Sequence, residues 1–141
     1  MSLNEYFRTD KSLELEGLKI EYADTEGETL AWFKCRRPGG SNHEYPLLFS
    51  LKLREAEEDF KGMSDVQIEE AVRRIKAQVY ADVIVLAWGG DIQGPDGKVM
   101  ECSKENVYWL LAEDCPDLFD DLQARLNMIS NWSADRLKKE S

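Results

Sequence analysis

Histidine occurs once, at His43, and cysteine three times, at Cys35, Cys102 and Cys115, with no CxxC pair and none of the Cys/His spacings that a zinc site requires. Three scattered thiols also make no disulfide framework, so a reducing cytoplasm is the expected setting. No apolar run approaches the roughly 20 residues needed to cross a bilayer, and no basic stretch leads into an apolar one at the N-terminus. Basic residues are the scarcer charge. Against 28 Asp and Glu there are 18 Lys and Arg, and the net charge of −10 repels phosphate backbones and anionic lipids. Neither nucleic acid nor a membrane is an expected partner.

What remains is enough for a core. At 141 residues, 43% of them hydrophobic, the chain fits a single domain that needs no staples. Residues 1–12 are polar and unpatterned and are expected to be flexible. Residues 13–36 form the β-rich part: Leu13 and Leu15 share one alternating phase and Leu18, Ile20 and Tyr22 the other, with Gly17 at the slip, where a bulge is expected. A turn at 23–28 then leads to a strand over Thr29–Arg36.

From residue 42 to 138 the pattern predicts helices. Asn42 is placed to cap the first, with Pro46 in its first turn and Leu47, Leu48, Leu51 and Ala56 on its apolar face, although Phe49, Leu51 and Leu53 also fit a strand. Ser64 starts a long one, in which Ile68, Val72, Ile75, Val79, Val83 and Leu86 follow one another at helical spacing, up to the glycines after Trp88. Ser103 caps the next, with Asn106 placed to reach back, and Pro116 opens another that carries Phe119, Leu122, Leu126 and Ile129. Ser133 can cap one more short turn before a frayed end. The expected fold class is α+β: a small antiparallel hairpin or meander followed by a mostly helical two thirds.

Known chemistry finds little footing. Gly97-Lys98 is followed by Val99 and Ile92 replaces the first glycine, so a phosphate loop fails at both ends. A calcium loop read from Asp91 places Gln93, Pro95 and Cys102 where oxygen ligands belong. With one histidine and no nucleophile elbow, a catalytic triad lacks parts, and adjacent acids such as Asp120 and Asp121 point apart on a helix. No catalytic residue, metal or cofactor is expected.

Surfaces are the better candidates. Between Asp91 and Asp121 lie 9 acids opposed only by Lys98 and Lys104, a charge that either attracts a basic partner or keeps the protein soluble. Asp114, Asp117, Asp120 and Asp121 are its densest part. Trp32, Trp88, Trp109 and Trp132 are expected in the core, although Trp109, beside Val107 and Leu110, also suits an interface rim. The candidate partner-binding residues are therefore these four aspartates and Trp109.

One stretch has a familiar order of features. Trp88-Gly89, Asp96-Gly97, Ser103 with Asn106, Leu110-Leu111 and Pro116-Asp117-Leu118, together with the "RPGGSN" loop and Tyr45, resemble the tail assembly chaperones of long-tailed bacteriophages over residues 36–126. A second glycine at Gly90 and Cys102 beside the cap depart from that pattern. The resemblance implies a non-enzymatic protein of the bacterial cytoplasm. Its client would be the helical tape-measure protein, held soluble during tail assembly, with other tail proteins as further partners and self-association along the client. A structural minor tail component and an acidic, DNA-mimicking inhibitor are the alternatives.

Overall fold

In the computed structural model, which describes residues 1–134, the expected α+β class holds. Leu18, Ile20 and Tyr22 turn one face of strand β1 (Leu18–Ala23) inward, and Ala31, Phe33 and Cys35 do the same on β2 (Thr29–Cys35). The two pair antiparallel, with Ile20 opposite Phe33. A lone hairpin is marginal in water, and a third strand, β3 (Val85–Gly90), completes the sheet in the order β1-β2-β3.

That third strand corrects the long-helix expectation. Helix α5 (Asp65–Val79) begins as predicted, with Ser64 and Gln67 in a reciprocal capping box, but it ends in a π-helical turn (Tyr80–Ile84) and not at Trp88. Val83, Ile84 and Val85 are β-branched, and a short all-apolar run fits a buried strand as well as a helix. Pairing with β2 decides between them, since Trp88 lies opposite Phe33 and their rings meet edge to face at 5.9 Å. Leu86 then points outward and is exposed.

The doubled glycine belongs to this strand. A Cβ on Gly89 would lie 2.5 Å from Trp32 Nε1, and Gly90 has φ +99° with its Cβ position 2.4 Å from the Leu30 carbonyl oxygen. Trp32 lies half-buried on the outer face under Lys19, whose ammonium is 4.8 Å from the ring centre. Of the four tryptophans, Trp88 and Trp132 are core, and Trp132 donates to the Leu126 carbonyl at 2.8 Å.

The N-terminal segment is ordered into two short helices, α1 (Leu3–Phe7) and α2 (Lys11–Glu16). Leu13 and Leu15 therefore lie on a helix, and Gly17 closes that helix where a strand bulge was expected. Backbone bonds from Asp10 N–H to Trp132 (2.8 Å) and from Ala134 N–H to Arg8 (3.1 Å) tie this segment to the chain's far end. Glu14 is buried. Its carboxylate accepts from Thr9 Oγ1 at 2.6 Å, Ser41 N–H at 3.0 Å and Arg37 Nη1 at 3.1 Å.

Helix α3 (Glu44–Glu55) has Pro46 in its first turn as expected. Asn42 does not cap it: the side chain is buried and donates to the Arg37 carbonyl at 3.0 Å, leaving His43 at the cap position without a side-chain bond. Leu47 and Leu51 are exposed, and Tyr45, Leu48 and Phe49 pack on the core in their place. After the short α4 (Glu57–Phe60) and α5 come α6 (Lys104–Tyr108), a second π-helical turn (Trp109–Asp114) and α7 (Pro116–Leu126). Ser103 caps α6 as predicted, while Asn106 reaches past it to the Glu101 carbonyl at 2.8 Å. Phe119, Leu122 and Leu126 are fully buried on α7, and Ile129 begins a separate 3-10 turn (Ile129–Trp132). The turn expected after Ser133 lies outside the described residues.

Candidate partner-binding surface

Pro116 at the first position of α7 orients the acidic segment, but its four aspartates do not face one way. Asp121 accepts from the Tyr22 hydroxyl at 2.7 Å and forms an ion pair with Arg125 Nε at 2.8 Å, while the Arg125 guanidinium covers the Tyr22 ring at 4.4 Å. Burial, then the Asp121 hydrogen bond and charge, push the Tyr22 hydroxyl far above its ordinary value, so it stays a donor. Asp120 lies on the other side, 3.6 Å from Arg73 Nη2, which also donates to the Pro116 carbonyl at 2.7 Å. Asp120 and Asp121 thus fasten α7 to α5 and β1.

The other two are freer. Asp114 meets only the weak thiol donor of Cys115, at 3.4 Å, and Asp117 makes no side-chain hydrogen bond or ion pair among the described residues. Trp109 is half-buried against the core.

Asp114 also borders a feature that no sequence pattern announced. A cleft of about 390 Å³ opens at the end of the sheet, between Tyr22, Leu30, Ala31 and Phe33 on one side and Leu110, Asp114, Cys115 and Leu118 on the other. Asp91, Ile92 and Gln93, following β3, close its third side. The walls are largely apolar, the lining includes two carboxylates and, among the described residues, no Lys or Arg, and Leu30 is 49% exposed at the mouth. The only sequence trace is the closeness of Leu110, Asp114, Cys115 and Leu118, which lie on either side of the break between the second π-helical turn and α7.

The glycine-rich turn that follows β3 is closed by its own atoms. Gly94 N–H donates to the Lys98 carbonyl at 2.9 Å, Lys98 N–H to Asp96 at 3.0 Å, and Gln93 pairs with Val99. It carries the chain from β3 to α6. A second cavity, about 350 Å³, lies between α3 and α5, where Lys52 and Arg74 alternate with Glu55 and Asp59. Among the described residues no three His, Cys, Asp or Glu side chains gather as a metal site, and no helix is long and apolar enough to cross a membrane.

A family model described as YdaY prophage protein matches residues 41–141. The chain belongs to the YdaY prophage protein family. No curated protein and no solved structure matches it. In this YdaY-family chain the matched part runs from the start of α3 through the acidic segment, so it includes the helical wall of the cleft and Asp91, while the β1–β2 wall precedes it.

Proposed function

We propose that this prophage-family protein is a non-enzymatic tail assembly chaperone that binds the tape-measure protein in the bacterial cytoplasm and keeps it soluble until the tail tube forms. The cleft carries the reading: it combines open apolar walls with carboxylates on a strongly acidic protein. A long tape-measure helix exposes apolar stripes that aggregate, and an acidic protein that covers them adds charge that resists clumping. Prophage membership and the ordered features over residues 36–126 support the same assignment. An extended client has room for several copies, so self-association along it is part of the proposal, as is contact with other tail proteins.

Co-expression with the tape-measure protein of the same prophage tests it. The expected outcome is a soluble client that co-purifies with this chain, and finished particles that lack it. A client that stays insoluble and unbound would defeat the chaperone reading, and recovery of the chain from purified particles would make it a structural tail component. A DNA-mimicking inhibitor gains less support, because Asp120 and Asp121 are engaged by Arg73 and Arg125 and do not form a free row of anions.

A further inference from the structure

The cleft restricts what can fill it. Strand β2, which supplies Leu30 to one wall, is paired on both sides, and the Leu30 carbonyl already accepts from Asp91 N–H at 2.9 Å. β2 therefore offers an added strand no free edge, and an occupant can engage the cleft through the lining side chains, as an amphipathic helix does. A volume of about 390 Å³ suits a few apolar side chains and not a whole domain. Among the described residues Asp91 is tied only to Gln93, at 3.1 Å, and Asp114 only to the Cys115 thiol, so both carboxylates keep acceptor capacity. The chain's own net charge of −10 disfavours a second copy at this mouth.

We infer that this cleft seats one basic amphipathic helix, whose apolar residues pack on Leu30, Ile92 and Leu118 and whose flanking Lys or Arg side chains meet Asp91 and Asp114. Naming that helix as part of the tape-measure protein rests on the chaperone reading; the seat and its selectivity do not.

The probe is a labelled synthetic helix of about 18 residues with leucines at helical spacing and Lys and Arg beside them, titrated with the full chain and read by fluorescence anisotropy. The control helix keeps the leucines and carries Glu in place of each cation. The parent protein is expected to bind the basic helix at least about tenfold more tightly than the acidic one, less tightly as salt rises. Leu30→Lys and Asp114→Lys, both at exposed positions, should each weaken it about tenfold without changing the melting temperature, while Leu47→Lys on α3, outside the cleft, leaves it unchanged. Equal binding of the two helices, cleft variants within about twofold of the parent, or an equal loss from Leu47→Lys would overturn the seat. So would a dimer in sedimentation that Leu30→Lys dissolves, since a second copy would then be the occupant. The two readings separate cleanly. Client solubilisation that survives both cleft substitutions removes the cleft as the client's site and keeps the chaperone; peptide binding at the cleft without client solubilisation keeps the seat and removes the chaperone.

Discussion

Helices α3 and α7 are nearly equal in length, 12 and 11 residues, and they are held in opposite ways. α7 is held by its face. Phe119, Leu122 and Leu126 are fully buried along one stripe, and Arg73 lies over the Phe119 ring at 5.4 Å. α3 buries none of its residues fully and turns Leu47 and Leu51 to solvent. Its fixed point is the loop before it, where Glu14 holds Arg37 and Ser41 and where Asn42 is buried. An apolar spacing read from sequence shows that a helix has a stripe, but not whether the stripe or the end does the holding.

The largest break in this contrast is Phe119→Ala. It removes a fully buried ring that packs on Tyr80 at 5.0 Å, and a loss of about 3–5 kcal/mol is expected in denaturant unfolding. A loss below about 1 kcal/mol would mean that α7 is not held by its face.

Glu14→Ala should come next and should loosen α3 more than α7. Removing one partner of a buried pair costs roughly 3–5 kcal/mol, and the partial exposure of Arg37 puts this one near or just below the lower end. Burial works to raise the Glu14 carboxyl, but the bonds from Thr9, Ser41 and Arg37 together outweigh it and hold it below its ordinary value of 4.5. A depressed carboxyl contributes stability that is complete above that ordinary value and is lost as pH falls through the folded one. Acid unfolding of the parent should therefore show a limb below about pH 4.5 that Glu14→Gln flattens. Hydrogen exchange at the α3 amides should rise first.

Those two sites mark how far the sequence could be read. The stripe of α7, the caps at Ser64 and Ser103 and the inward phase of β1 were legible because each is a local pattern set by a few neighbouring residues. Val85–Trp88 was not, since helix and strand both suit an apolar run and only pairing with β2, some 50 residues away, selects the strand. Glu14 was hidden between Leu13 and Leu15, in the part expected to be β-rich, for the same reason: its partners Arg37 and Ser41 are 23 and 27 residues distant. The cleft draws on three separate stretches, so sequence order offered only the closeness of Leu110, Asp114, Cys115 and Leu118.

Tyr80 joins the two helices and sharpens the contrast with a smaller effect. Its ring meets Tyr45 of α3 at 5.6 Å and Phe119 of α7 at 5.0 Å, both edge to face. The hydroxyl is buried without a hydrogen-bond partner among the described residues, and burial pushes its titration far upward. Tyr80→Phe keeps both ring contacts and removes a polar group that was desolvated for no return. Stability should stay level or rise by up to about 1 kcal/mol. A clear drop in melting temperature would show that the hydroxyl has a partner, such as a buried water.

The smallest expected effect tests what α3's outward face is for. Leu47 and Leu51 are 71% and 52% exposed, and the α3 residues that touch the core, Tyr45, Leu48 and Phe49, are only partly buried. Replacing both leucines with Lys should change unfolding stability by no more than about 0.5 kcal/mol, because little buried area is lost. If self-association along the client uses this face, the double variant will still bind the basic helix at the cleft but will sediment as a smaller species at high concentration. An unchanged sedimentation profile, with unchanged stability, would leave α3 as a solvated helix held by its loop and would place any contact between copies elsewhere on the molecule.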